Sequence, residues 1–315
     1  MILKYKERLI IILAVILLAG CSPAEEIREY AEDTREYIKV PVLMYHHLVS
    51  SDDEVTSGTI VSVETFESHI KALADNGYTG ISFEQLVSYV ENNRRLPEKP
   101  AIITFDDGYL SNYEIAYPIL KRYDMKAAIF IIGIAVGQTT YRDTGDENFP
   151  ILPRFSYEQA NEMIASGLIE IQSHSYDMHQ WEEYEKLLGG EYRRGILPLE
   201  HESEEDYTAN FRKDYKRAKS ELEAAIRTES IAYAYPFGLY SELSEQLLKE
   251  MGVKVTLTTH SGNNIIKRGE PETLYLLNRF TIDNMSVEKL LETLEVPETA
   301  TQGVNIYDTG ENSDG

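Results

Sequence analysis

Two short segments of this sequence carry residues that could do chemistry together. In AIITFDDGY an apolar run ends in the adjacent aspartates Asp106 and Asp107, and SHSYDMH contains His174 and His179. Residues five apart lie about 140° apart around a helix and on opposite faces of a strand. Only a loop that turns back can aim both imidazoles at one point. The spacing therefore favours a loop that binds a metal, and the alternative is two unrelated surface histidines.

A metal at this place would give the two aspartates different tasks. Two imidazoles and one carboxylate form a three-ligand site with an open position, which is the pattern of catalytic zinc. Such an ion lowers the pKa of a bound water toward ~7 and polarises a carbonyl group. The other carboxylate would then act as general base, and the cation relieves the repulsion between the pair. Gly108 allows the tight turn that presents both side chains.

The predicted secondary structure brings these segments to one edge. Strand-like and helix-like stretches alternate from residue 40 to 294, which favours a parallel sheet, and about seven such units fit a closed barrel. The two aspartates follow the predicted strand 101–105, and the histidine segment follows 168–172. The segments MYHH and YPFG end the predicted strands 40–46 and 231–235. Active sites of such folds lie at the carboxyl ends of the strands, so the four segments should converge.

The segment TFDDGY, together with a His-Ser pair and a second histidine, resembles the polysaccharide deacetylase family, carbohydrate esterase family 4, with its NodB homology domain. The resemblance runs from about residue 41 to 295. It implies an α/β fold, a distorted (β/α)7 barrel in a single catalytic domain. It also implies that Asp106 is the catalytic base, and that Asp107, His174 and His179 bind one divalent metal. Zinc is the expected ion, but such a site also accepts cobalt or nickel.

Two departures from the family pattern bear on the active site. The histidine spacing is five instead of the usual four, which resembles the branch that deacetylates poly-N-acetylglucosamine. The usual RxPxG segment reads AYPFG, with Ala234 where an arginine would orient the base. The orienting group is therefore unassigned. The backbone N–H of Phe237 is still available as a donor to the oxyanion.

The general acid is the least determined part of the site. The late LxH segment of the family has no clean counterpart in this sequence. We favour His46, in LMYHH, because the first strand of a closed barrel lies next to the last. The alternative acid is His260, in LTTHSGNN. His46 could also be a hydrogen-bonded core histidine without a catalytic role.

The N-terminus carries an addressing signal. Lys4, Lys6 and Arg8 precede the apolar stretch LIIILAVILLAG, whose 12 residues are fewer than the ~20 that span a bilayer as a helix. The stretch ends in LAGC, which resembles a bacterial lipobox, and Cys21 is the only cysteine. We expect a lipoprotein anchored outside the cytoplasmic membrane through a lipidated Cys21. The alternative is an ordinary secretory signal with a chance cysteine.

These segments give a domain plan and a function. The plan has a signal peptide at 1–20, a tether at 21–39, the catalytic domain at 40–295 and a disordered tail at 296–315. A net charge of −23 over 315 residues argues against nucleic acid as a partner, although it also simply keeps a surface soluble. We expect a monomeric, metal-dependent hydrolase that removes N-acetyl groups from an extracellular polysaccharide containing N-acetylglucosamine. The alternatives are an O-acetyl esterase of the xylan type and an inactive sugar-binding lipoprotein.

Overall fold

The computed structural model describes residues 35–295, in which strands and helices alternate along the chain. The predicted signal peptide, Cys21 and the tail after residue 295 lie outside the described residues. The strands are β1 Tyr37–Val40, β2 Val42–Tyr45, β3 His47–Val49, β4 Ile60–Ser62, β5 Thr79–Gly80, β6 Pro100–Asp107, β7 Ala127–Ile131, β8 Ile169–Ser173, β9 Ala232–Ala234, β10 Val255–Leu257, β11 Asn264–Lys267 and β12 Phe280–Thr281. The helices are α1 Val63–Asp75, α2 Phe83–Asn92, α3 Tyr117–Arg122, α4 Tyr157–Ala165, α5 Glu182–Leu187, α6 Glu204–Ile226, α7 Glu242–Glu250 and α8 Val287–Leu294.

Seven parallel strands form the central sheet, in the order β10-β9-β8-β7-β6-β2-β12, and β5 pairs with β6 beside this path. The sheet curls until its ends meet. Next to β10, the N–H of Thr258 donates to the carbonyl of Leu277, three residues before β12. A parallel bridge joins Leu257 and Leu277 at the same place. The curled seven-stranded sheet confirms the predicted distorted (β/α)7 barrel.

Alternation along β6 divides the buried core in two. Ile103 and Phe105 belong to the cluster that packs against the outer helices α1 and α3. Ile102 belongs to a second cluster, which fills the barrel interior and packs against α2. Side chains two apart on a strand share a face, so Asp106 faces the barrel interior together with Ile102.

The helices begin at residues that satisfy their free backbone N–H groups. Ser82 and Ser156 each accept a hydrogen bond from the N–H of the glutamine three residues on, and the glutamine side chain accepts from the serine N–H in return. Both reciprocal pairs are capping boxes. Ser203 opens the 23-residue α6 in a similar way, by accepting from the N–H of Asp206. These caps fix the residue at which each helix begins.

Strand β1 includes residues 37–39 of the segment predicted as the tether. These residues pair antiparallel with β11. Within residues 35–295, no helix combines the length and the apolar character that crossing a membrane requires.

Candidate active site

The candidate site lies where neighbouring parallel strands end. Asp106 and Asp107 are the last two residues of β6, and His174 follows β8 directly. Between these strands lies β7, and β9 lies on the other side of β8. The polar segments predicted to meet are thus carried to one edge of the sheet. The backbone leaves regular strand geometry there, with positive φ angles of 73° at Asp107 and 74° at Ser175. Such angles are uncommon for residues other than glycine, and they cluster at functional sites.

Asp107, His174 and His179 form a cluster whose side-chain atoms could hold a metal ion. The Oδ1 atom of Asp107 lies 3.6 Å from Nε2 of His174 and 3.5 Å from Nε2 of His179. One ligand atom from each residue lies within 4.8 Å of the others. At the usual zinc distance of about 2.1 Å, ligands of a tetrahedral site are about 3.4 Å apart. The observed separations fit an ion of this kind.

The hydrogen bonds of the cluster also suit a metal site. His174 places Nδ1 2.7 Å from the carbonyl oxygen of Ala234. With the proton on Nδ1, that bond leaves the lone pair of Nε2 directed toward Asp107. The Oδ1 atom of Asp107 is buried and has no hydrogen-bond partner among the described residues. A buried acceptor without a partner is costly, and a cation bound between the three side chains would satisfy it.

Electrostatics keep two of the candidate ligands, Asp107 and His179, in the forms that bind metals. Burial lowers the pKa of His179 to about 4, more than the nearby Asp107 carboxylate raises it. The ring is therefore neutral at neutral pH. Burial alone would raise the pKa of Asp107, but His179 and Arg154 hold it well below its usual range. Metal binding requires a neutral imidazole and an ionised carboxylate, and both are present before any ion arrives.

Asp106 is held by an arginine that the sequence reasoning did not identify. Arg279 donates from Nη1 and Nη2 to the two carboxylate oxygens of Asp106, at 2.7 Å each. Its Nε donates to the carbonyl of Thr258 at 2.8 Å, and its side chain is fully buried. Burial by itself would raise the pKa of Asp106. Arg279 and the nearby histidines lower it by more than burial raises it, so the carboxylate is ionised. The orienting group left unassigned by Ala234 is Arg279.

Arg279 lies far along the chain from AYPFG, the segment in which the family has an arginine and this chain has Ala234. It precedes β12, which pairs with β2 in a register that matches Phe280 with Leu43. Strand β2 in turn pairs with β6, whose last two residues are Asp106 and Asp107. One signal was present in the sequence: an arginine inside the apolar stretch YLLNRFTI needs a partner if it is buried. Whether the side chain of Arg279 reaches Asp106 depends on how the barrel closes.

A second arginine lies beside the candidate metal cluster. The guanidinium of Arg154 stacks on the ring of Tyr109, with Cζ 3.7 Å from the ring centre, and the side chain is buried. Its positive charge acts on Asp107 and lowers the pKa of that carboxyl. The site thus contains two carboxylates and two guanidinium groups, whose charges cancel before an ion binds.

The two histidines considered as general acid lie in different surroundings. His46 follows β2, and its ring feels the charges of Asp106, Asp107 and Arg279. Burial is the largest influence on the pKa of His46 and lowers it. Its Nδ1 is buried without a hydrogen-bond partner among residues 35–295. The ring of His260 instead lies 6.3 Å, centre to centre, from that of Tyr240, and its carbonyl accepts from the N–H of Arg279.

Phe237 lies directly against the cluster, in a strained backbone conformation. Its ring centre is 4.3 Å from that of His179, and its φ is 58°. The residue is 44% exposed, in spite of its large apolar side chain. Gly238 follows with φ of 70°, and a Cβ there would lie 2.1 Å from Oγ1 of Thr259. Only glycine fits at this position, so it fixes the turn that carries Phe237.

The chain matches a family model and is similar to several known proteins. The model of a family described as polysaccharide deacetylase matches residues 93–256, about half of the chain. A poly-beta-1,6-N-acetyl-D-glucosamine N-deacetylase of Staphylococcus aureus is 28% identical over 273 residues, covering 80% of this chain and 85% of the relative. The solved deacetylase PplD of Streptococcus pyogenes, in complex with acetate, is 28% identical, with a TM-score of 0.62. That alignment covers 82% of this chain and 99% of PplD.

A more distant solved structure shares the fold. A de-N-acetylase from Aggregatibacter actinomycetemcomitans is 24% identical, with a TM-score of 0.68, and the alignment covers 82% of this chain and all of that one. At this identity the likeness supports the curled barrel alone.

Proposed function

Because this chain belongs to the polysaccharide deacetylase family, we propose that it removes N-acetyl groups from a polymer containing N-acetylglucosamine by metal-dependent hydrolysis. One observation carries the mechanism: Asp107, His174 and His179 converge on one point, while both oxygens of the adjacent Asp106 are bound by Arg279 and its Oδ2 lies 3.9 Å from Nε2 of His174. A carboxylate next to a metal ligand set, yet not needed by it, is placed to act as a base.

The substrate class is inferred from relatives and from the histidine spacing. The similar protein of S. aureus is named a poly-beta-1,6-N-acetyl-D-glucosamine N-deacetylase. The five-residue histidine spacing in this chain resembles the same branch of the family. We therefore propose poly-β-1,6-N-acetylglucosamine or a closely related polymer as substrate, with glucosamine units and acetate as products.

The metal, most simply Zn²⁺, would be held by Asp107, His174 and His179, and would supply Lewis-acid activation of the water and of the amide carbonyl. Asp106 accepts the proton of the attacking water, because its ionised form is held in place by two hydrogen bonds from Arg279. These bonds fix the carboxylate plane. They also leave the arginine charge close to the base throughout the reaction.

Two further residues complete the proposed mechanism. The backbone N–H of Phe237 donates to the oxygen that becomes negative when water adds to the amide carbon. His46 protonates the nitrogen of the leaving amine. In support of this role, its ring lies within the electrostatic reach of both aspartates, whereas the ring of His260 lies against Tyr240.

The proposed location is outside the cytoplasmic membrane, with Cys21 as the lipid-bearing residue. The support is the sequence alone: a basic start, 12 apolar residues and the segment LAGC. Loss of fatty-acid labelling in the Cys21→Ser variant is the expected result, and unchanged labelling would contradict the proposal.

The test of the function is acetate release from β-1,6-linked N-acetylglucosamine oligomers. We expect release by the wild-type protein, and a decrease of about 10²–10⁴-fold in the Asp106→Asn variant, since a general base contributes this much. Asn preserves the size of the side chain, so folding, followed by circular dichroism, should persist. Acetylated xylan assayed in parallel distinguishes the O-acetyl esterase, which would release acetate from xylan and not from the oligomers. No release from either glycan by wild-type protein would exclude both activities.

A further inference from the structure

The loop that joins His174 and His179 is tied to a helix outside the barrel edge. This loop, which we call the histidine loop (residues 174–179), contains two successive N–H groups that point to the same acceptor. Tyr176 N donates to Oδ2 of Asp214 at 2.9 Å, and Asp177 N donates to Oδ1 of the same carboxylate at 2.8 Å. Asp214 lies in the middle of α6 and is partly buried.

The loop conformation explains why a carboxylate fits there. Ser175 has a φ of 74°, and this left-handed residue lets the following two N–H groups face one side of the loop. Successive N–H groups in such a turn form a small positive concavity that binds an anionic oxygen pair. The other side of the loop is bonded to the chain after β7, where Gly133 N and Ile134 N donate to the carbonyls of Ser175 and Tyr176 at 3.0 Å each.

The two histidines depend on this loop to different degrees. His174 is fixed by the end of β8 and by the contact of its Nδ1 with the carbonyl of Ala234. The Nδ1 atom of His179 is buried and has no hydrogen-bond partner among the described residues. Its ring is placed by the loop backbone and by the contact with Phe237. A change in the path of the loop would therefore move His179 more than His174.

We propose that Asp214 is a positioning residue for the metal site, and that it sets the place of His179 by binding the backbone of the histidine loop. Asp214 contacts no candidate ligand directly. It accepts two backbone N–H groups of the loop, and so it holds the turn through which a spacing of five residues presents both imidazoles to Asp107. The inference rests on the proposed metal site of the deacetylase, and it adds a residue to that site from a different helix.

The test measures metal affinity instead of activity alone. In Asp214→Asn the side chain keeps its size, but one oxygen becomes an NH₂ group that faces a backbone N–H. We expect Zn²⁺ affinity, measured by titration against a chromophoric chelator, to weaken about 10- to 100-fold, as is usual when a residue supporting the ligands is lost. Acetate release should return toward the wild-type value at saturating Zn²⁺, which a general loss of folding would not allow.

Two more variants make the result decisive. Asp206→Asn changes the same residue type on an exposed turn of the same helix, and we expect wild-type zinc affinity. Asp214→Glu keeps the charge one methylene further out, and its affinity should lie between those of wild type and Asp214→Asn; it also serves if the asparagine variant does not fold. Wild-type affinity in folded Asp214→Asn would overturn the inference. If wild-type protein binds zinc without releasing acetate, the proposed function fails and Asp214 is still tested; if it binds no divalent ion, both fail.

Discussion

Asp106 and Asp107 are adjacent and chemically identical, yet the fold prepares them for different roles. Both oxygens of Asp106 are occupied by Arg279, at 2.7 Å each. The Oδ1 atom of Asp107 has no hydrogen-bond partner in the described part of the chain and faces two imidazoles at 3.5 and 3.6 Å. Asp106 still follows strand alternation into the barrel interior, whereas Asp107 has a φ of 73°. One residue is fully satisfied and the other is left open for an ion.

This comparison shows how a like-charged pair can be tolerated in a buried place. Each aspartate has its own source of positive charge, Arg279 for the first and Arg154 for the second. The pKa of both carboxyls is lowered in spite of burial, so both are ionised at neutral pH. A bound divalent ion would add further positive charge on the side of Asp107.

The largest effect is expected from Arg279→Met, which removes the group that makes Asp106 different from Asp107. It leaves the buried Asp106 without its partner, which costs about 3–5 kcal/mol of unfolding free energy when a buried ion pair is broken. We also expect kcat/KM to fall about 10³-fold, because the base is no longer oriented. Urea unfolding and acetate-release kinetics measure the two effects. Arg279→Lys, which keeps the charge but not the two-pronged geometry, should recover part of the stability and little of the rate.

The same arginine sets a pH dependence whose sign follows from the structure. Arg279 lowers the pKa of Asp106 against the opposing effect of burial. The base is therefore ionised down to low pH, and its protonation does not limit wild-type activity near neutral pH. In Arg279→Lys the pKa of Asp106 should rise, and the acid limb of the kcat/KM profile should move to higher pH. An unmoved acid limb would show that Asp106 is not the group whose ionisation controls the rate.

A smaller effect is expected at the general acid. His46→Gln should lower kcat by about 10²-fold with little change in metal content, because the ring protonates the leaving amine and binds no metal in this scheme. His260→Gln is the matched control, and we expect its kcat to stay within about twofold of wild type. The reverse order of the two effects would assign the acid to His260.

The sequence was sufficient to predict the barrel and to identify the candidate residues within its recognisable segments. The alternation of strand-like and helix-like stretches is a local pattern, and it predicted the parallel sheet correctly. The convergence of Asp107, His174 and His179 followed from the rule that parallel strands end at one edge. The partner of Asp106 did not follow from any local pattern. Arg279 reaches Asp106 only because β12 pairs with β2 and the sheet curls, and both are properties of the closed fold.

Asp214 was hidden for a similar reason. It lies in a charged helix, in the segment RKDYKR, where a charged side chain by itself predicts a solvated face. Its role depends on the turn at Ser175. No residue type in SHSYDMH predicts the positive φ of that residue. The histidine spacing indicated a loop, but the acceptor of the loop's N–H groups lies 38 residues from Tyr176. Contacts of this kind are decided by tertiary packing.

The most direct test of the different roles of the two aspartates is the metal content of Asp106→Asn and Asp107→Asn, purified side by side with wild type and measured by elemental analysis. We expect Asp106→Asn to retain close to the wild-type amount of metal while losing activity, and Asp107→Asn to lose most of both. Equal loss of metal in the two folded variants would contradict the account, because Asp106 would then be a ligand and not the base.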